Sequence, residues 1–259
     1  MAPNFSKEAK HLIIHTGNIL NLNELKRKVG QNLSEEIVES IKITLNGWSS
    51  SNNNVAGDSN VVIGGQERLL NAEEERKDLK ISLKMFLPVC APSDDLLISK
   101  ALDTITKELD TPHVETLVLS QARRQDEGVE GEQQLTQLEP FWRQIESEIE
   151  SGRILSAGVS DIDTESFVAL HTNAKVKPGI VQINLATCCV VPPALQSFAK
   201  ENNVQLLTHN DPIDLLPEEA VTEIFGDGWS LGWVLRSQVH VKCRGVLASK
   251  GFIVYLKKY

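Results

Sequence analysis

From Asp78 onward, short β-branched runs take turns with longer stretches whose apolar residues recur every third or fourth position. That alternation is the rhythm of βα units, not of a sandwich. Leu79–Phe86 reads as a strand, and Ser93-Asp94-Asp95 opens a helix whose Leu97, Ala101, Ile105 and Leu109 share one face. Val114–Leu119 is the next strand. Leu138, Trp142, Ile145 and Ile149 then form a second apolar stripe, ended by Ser151-Gly152 before the strand Ile154–Val159. The cycle continues with a helix over Asp161–Thr172, a strand over Ile180–Leu185, a helix over Pro192–Asn202 and a strand over Val204–Leu207. Pro212–Phe225 reads as helical and Val239–Cys243 as strand-like.

The first 78 residues supply two more strands, His11–Ile14 and Asn60–Ile63, with helices over Ser34–Asn46, where Ile37, Ile41 and Leu45 fall at helical spacing, and over Gln66–Lys77. Eight alternating pairs in about 250 residues is the length and rhythm of a TIM barrel. An open doubly wound sheet is the alternative. The polar tract Ser49-Ser50-Ser51-Asn52-Asn53-Asn54 marks residues 47–65 as a mobile loop. No fixed-period repeat and no domain boundary interrupt the pattern, so the expectation is one barrel domain over 1–259, with an irregular or truncated C-terminal end.

Composition fits a packed α/β domain: 41% of residues are hydrophobic and 24% charged. The longest uncharged apolar run, Met85–Pro92, is far short of the roughly 18 residues of a membrane span. The first residues lack the apolar stretch of a secretory signal, so the expected location is the cytoplasm. With 26 basic against 35 acidic residues the net charge is −9, which repels a phosphate backbone and makes nucleic acid an unsuitable ligand. Six of those basic residues, Arg236, Lys242, Arg244, Lys250, Lys257 and Lys258, lie in the last 24 positions with no acid among them. Such an end is either a solvated basic tail or a dock for an acidic partner or anion. Cys90, Cys188, Cys189 and Cys243 show neither a disulfide framework nor the paired spacing of a zinc site.

Motifs for chemistry are sparse. Gly226-Asp227-Gly228-Trp229 lacks the third glycine and the strand-to-helix context of a dinucleotide fingerprint. Gly158-Val159-Ser160-Asp161-Ile162 stops short of a nucleophile elbow, which leaves Ser160 as a helix cap. No two histidines stand at the spacing of one metal-binding helical face. Thr208-His209-Asn210-Asp211 is the most suggestive polar group, because it follows a strand, where barrel enzymes keep their active sites. The plainer reading is that Asn210 and Asp211 cap the next helix. Cys188-Cys189 also follows a strand, as packed core or with one thiol presented outward. The four tryptophans, Trp48, Trp142, Trp229 and Trp233, are dispersed and read as core or interface.

Four blocks carry a resemblance: Thr16-Gly17-Asn18-Ile19-Leu20-Asn21, Leu45-Asn46-Gly47-Trp48-Ser49-Ser50, Gln182 to Pro193 with its Cys-Cys-Val-Val-Pro-Pro core, and Gln205 to Pro212 with Leu-Leu-Thr-His-Asn-Asp-Pro. Together they closely resemble, nearly end to end, the family of glutamate–cysteine ligase regulatory (modifier, light-chain) subunits. That family in turn resembles the aldo-keto reductases, which are TIM barrels. The resemblance puts Lys84 at the reductases' catalytic lysine and Ser120 where they carry a catalytic histidine. The tyrosines, Tyr255 and Tyr259, both lie at the C-terminal end, so none can occupy the general-acid position near the second strand. A carbonyl reduction needs a proton donor within hydrogen-bond reach of the substrate oxygen.

Arg244 and Lys250 fall roughly where reductases hold the phosphate of NADPH, but Lys242-Cys243-Arg244-Gly245 departs from their segment. The resemblance therefore implies a barrel without catalytic residues, metal or cofactor. It implies a heterodimer with the ligase catalytic subunit, better glutamate use and relief from glutathione feedback inhibition. Coupling of that kind is typically about 1–3 kcal/mol. Cys188, Cys189 and Cys243 become candidates for redox-sensitive contact, and Thr208, His209, Asn210 and Asp211 for the interface. An active NADPH-dependent reductase and a small-anion binder using Arg244 and Lys250 are the competing readings.

Overall fold

The structure is a computed structural model that describes residues 9–22, 32–50, 60–64, 75–88, 96–122, 131–185 and 190–259, without the side chains of 49–50 and 131–133. The chain divides into two compact units: Ile81–Asp211 is continuous, whereas Met1–Lys80 and Pro212–Tyr259 together make the other.

The continuous unit is built on strands β3 (Leu79–Leu87), β4 (Val114–Gln121), β5 (Ile154–Ser160), β6 (Ile180–Asn184) and β7 (Gln205–His209). All four neighbouring pairs are parallel, and the spatial order β3-β4-β5-β6-β7 is the chain order. A doubly wound sheet reverses its order at a switch point, and these five strands do not. The crossings run through helices α2 (Leu97–Glu108), α3 (Gly131–Glu150), α4 (Thr164–Asn173) and α5 (Pro193–Glu201), each in contact with the next. Consecutive helices that touch lie on one face of their sheet, as in the single winding of a barrel.

Strand periodicity separates the two faces of that sheet. Leu83, Met85, Leu117, Leu119, Val159 and Val181 are almost wholly buried, as are Ile98, Ile105, Trp142, Ile145 and Phe167 on the helices. The other face is read from the register. Phe86 sits beside Ser120, Ser120 beside Ser160, Ser160 beside Gln182 and Gln182 beside Leu207, with Asn184 beside His209. One step earlier, Gly158 lies beside Ile180, and a β-carbon on it would come within 2.2 Å of the Ile180 carbonyl oxygen. Only glycine lets β5 and β6 approach there.

The divided unit has the strand order β2-β1-β9-β8, with β1 (His11–His15), β2 (Asn60–Ile63), β8 (Trp229–Val241) and β9 (Val246–Lys258). β1 and β2 are parallel, whereas β9 runs antiparallel to both β1 and β8. Helix α1 (Leu33–Ser50) contacts β1 and β2 and buries Ile37, Ile41 and Leu45, and α6 (Glu218–Phe225) precedes β8.

Several sequence expectations change here. The basic end is no solvated tail: it forms a hairpin of two 13-residue arms, in which Phe252, Ile253, Val254 and Leu256 are buried. Val239–Cys243 is therefore the close of β8 and its turn, not a separate strand. Two register shifts, between Leu231 and Trp233 and between Val239 and His240, break the alternation that would have exposed the pattern. The helix read over Pro212–Phe225 starts only at Glu218, because Pro217 is extended at ψ 152° and a proline also disfavours helix in the residue before it. Residues 47–50 complete α1 and 60–63 form β2, so the loop expected over 47–65 is shorter than that range. Residues 51–59 lie outside the described residues, as does most of the helix expected over Gln66–Lys77, whose last residues form a 3₁₀ turn at Arg76–Asp78.

Candidate functional site

The polar positions on the open face of the continuous unit converge at the C-terminal ends of its strands. Lys84 supplies three donors to three acceptors: Oγ of Ser160 at 2.9 Å, Oε1 of Gln182 at 3.0 Å and Oδ2 of Asp211 at 2.8 Å. An ammonium group has three donors, so this one is satisfied internally. Its side chain is 4% exposed and that of Asp211 11%, which makes the pair a buried one.

Asp161 follows β5 with φ at +61°, a left-handed conformation that aspartate tolerates better than most residues. The turn aims its carboxylate along the strand ends. Oδ2 accepts from the hydroxyls of Ser160 at 2.8 Å and Ser120 at 3.1 Å, and Oδ1 lies 3.1 Å from Nε2 of His209. Gln134 from α3 donates to the Asp161 carbonyl at 3.1 Å, and the Asp161 amide donates to the Gln182 carbonyl at 3.1 Å.

His209 ends β7 between two carboxylates. Its Nε2 also lies 2.9 Å from Ser160 Oγ. Its Nδ1 lies 3.1 Å from the Asp211 amide nitrogen and 3.3 Å from Asp211 Oδ2. Burial lowers the pKa of the imidazole and the Lys84 charge adds to that, but the hydrogen bonds from Asp161 and Asp211 and the Asp161 charge outweigh both and raise it above its ordinary value. For Asp161, burial acts upward, yet the His209 hydrogen bond and charge, the Ser160 hydroxyl and Lys84 bring the carboxyl below its ordinary range. Asn184 completes the group by donating to the Asp211 carbonyl at 2.7 Å.

This geometry corrects two readings. Ser160 caps no helix: α4 is capped by Asp163, which accepts from the Ser166 amide at 2.8 Å, and Ser160 is committed to Lys84, Asp161 and His209. Asp211 caps no helix either, since α6 starts at Glu218 and the Asp211 carboxylate holds Lys84. His209 and Asp211 are thus drawn inward, whereas Thr208 and Asn210 between and beside them are exposed. Cys243 is an exposed free thiol in the turn of the β8–β9 hairpin, in the other unit. Cys188 and Cys189 lie outside the described residues. Lys250, read as a phosphate contact, forms an ion pair with Glu36. Ser160, Asp161 and Gln182 were not read as one site. Their signal was positional: Ser120, Ser160 and Gln182 occupy equivalent places near the ends of apolar strands.

Among the described residues, no group of three or more histidine, cysteine or carboxylate side chains could hold a metal ion. The aldo/keto reductase family model matches residues 61–211, a stretch that includes the five parallel strands and the cluster at their C-terminal ends. An aldose reductase from Giardia lamblia is a structural neighbour, with a TM-score of 0.40 and 19% identity over 54% of this chain and 48% of that one. The glutamate–cysteine ligase regulatory subunits of Homo sapiens and Mus musculus are each 34% identical to this sequence, over 96% of this chain and 94% of theirs. The chain belongs to the aldo/keto reductase family and, within it, to the glutamate–cysteine ligase regulatory subunits.

Proposed function

We propose that this protein is the non-catalytic partner of a glutamate–cysteine ligase catalytic subunit, forming a heterodimer that uses glutamate more effectively and is inhibited less by glutathione. The observation that carries this reading is 34% identity to named regulatory subunits over 96% of the chain. Such an effector must bind the active conformation of its partner more tightly than the inactive one, and the shift cannot exceed that difference in affinity. The location that goes with this reading is the cytoplasm; no described helix is long and apolar enough to cross a membrane.

The chemistry at the strand ends supports a role without catalysis. Lys84 occupies the position of the reductase lysine, but its ammonium is spent on Ser160, Gln182 and Asp211. Ser120 in the histidine position donates to Asp161, and Tyr255 is hydrogen bonded to His11 at 2.8 Å within the divided unit. We assign the partner contact to Thr208 and Asn210, held in place by His209 and Asp211, together with the Cys188-Cys189 segment. Cys243 serves as a redox-sensitive contact. A disulfide through it would be conditional in a reducing compartment.

The test is to assay the purified catalytic subunit from the same organism with and without this protein, titrating glutamate at fixed glutathione. A lower apparent glutamate requirement, weaker glutathione inhibition and co-elution on a sizing column are expected. Separate elution with unchanged kinetics would overturn the proposal. Carbonyl-dependent oxidation of NADPH would instead favour a reductase.

A further inference from the structure

Nδ1 of His209 faces two groups of one residue, the amide N–H of Asp211 at 3.1 Å and its carboxylate Oδ2 at 3.3 Å. A ring nitrogen cannot serve both at once. Unprotonated, it accepts from the amide and confronts the carboxylate with a lone pair. Protonated, it donates to the carboxylate and can no longer accept from the amide. Asp211 is also the last residue of the continuous unit; the chain passes into the other unit at Pro212.

We propose that His209 is a proton-operated latch on Asp211: the protonated ring grips the carboxylate, and the neutral ring releases it and takes the backbone amide instead. The charged groups that face the ring from the described elements are Asp161 after β5, Asp211 after β7 and Lys84 on β3. With the ring protonated these four groups sum to zero charge. With it neutral they carry one uncompensated negative charge, in a pocket where the His209 side chain is only 8% exposed. The Lys84 ammonium, bound at 2.8 Å, then holds Asp211 Oδ2 without the imidazolium. Asn210 and Pro212 flank the residue whose backbone changes partner, so the exposed end of β7 responds to the proton.

The sign follows from the raised imidazole pKa. Stabilisation by the latch is complete below the ordinary value of 6.5 and is lost as pH rises through the higher folded-state midpoint.

The experiment is a titration of the full chain, labelled with ¹⁵N, between about pH 5.5 and 9, following the ring nitrogens of His209 and the backbone amide of Asp211. Both ring nitrogens should be protonated at the acid end, and the neutral form should be the tautomer with its proton on Nε2. The Asp211 amide should shift with the same midpoint, above 6.5. Hydrogen-exchange protection of 205–211, corrected for intrinsic rates, should fall by about tenfold for each unit that the midpoint exceeds 6.5.

His209→Gln should leave the Asp211 amide flat across the range. If that variant does not fold, Asp161→Asn serves: it should lower the His209 midpoint while the Asp211 amide still follows it. A neutral tautomer protonated at Nδ1, an Asp211 amide that ignores the His209 titration, or a midpoint at or below 6.5 would each overturn the latch.

Discussion

At the scale of single residues, the strand-end cluster is a closed set of exchanges, and its stability depends on no member being removed alone. Lys84→Met removes the lysine from its buried ion pair with Asp211, and breaking such a pair from one side typically costs about 3–5 kcal/mol. Urea unfolding of Lys84→Met should show a loss of that order, and Lys84→Met with Asp211→Asn should recover most of it. A double variant no better than the single would mean that the pair is not the source. Acid behaviour rests on Asp161, whose lowered pKa adds stability above its ordinary value of 3.8 that disappears as pH falls through the folded-state value. The stability gap between the wild type and Asp161→Asn should therefore close on the acid side, as measured by denaturant midpoints.

Much of this cluster was legible in part only. Thr208 to Asp211 stood out because polar residues followed a strand. Lys84 was singled out by resemblance alone, since one lysine in an apolar strand has no local pattern. Its partners Ser160 and Asp211 come 76 and 127 positions later, and no local periodicity relates residues so far apart. Asp161 looked like part of a helix start because the residues that truly open α4 follow it by two positions.

Among the elements, the parallel strands of the continuous unit were read within a residue or two, because each is a compact apolar run bounded by turn residues. At Gly158, β5 and β6 leave no room for a β-carbon. Gly158→Ala would press a methyl group on the Ile180 carbonyl at 2.2 Å, and overpacking of that kind costs about 1–3 kcal/mol. A fall in the thermal midpoint, with faster exchange of the β5 and β6 amides, is the expected result. The long hairpin was the element that escaped. Lysines stand on both sides of its buried run, Lys250 before it and Lys257 and Lys258 after it, so its composition reads as a charged tail, and two bulges interrupt the period that would have marked it as strand. Gly232 is part of the same irregularity: a β-carbon there would meet the Tyr255 ring at 2.3 Å.

For the molecule as a whole, activity through a partner and chemistry at the strand ends make opposite predictions for one substitution. Where Lys84→Met remains folded, it should still lower the glutamate requirement of the catalytic subunit, though less than the wild type does, because Asp211 then supports the Thr208 and Asn210 contact less firmly. It should also leave NADPH oxidation with a carbonyl substrate where the wild type has it, at the level of buffer. A regulatory effect abolished in the folded variant would tie regulation to the cluster itself. The family was legible because its signature blocks are contiguous, Cys-Cys-Val-Val-Pro-Pro and Leu-Leu-Thr-His-Asn-Asp-Pro, whereas the division into two units depends on pairings between distant parts of the chain.

The interleaving of those units also sets an order on synthesis. Every strand of the continuous unit has left the ribosome once Asp211 has, so the five parallel strands can assemble while translation continues. β1 has no such freedom: its antiparallel partner pairs His11 with Lys257, a separation of 246 residues. That edge of β1 must stay unpaired until β9 has been made. A nascent chain stalled before β9 would present that edge to whatever chaperone or neighbouring strand reached it first.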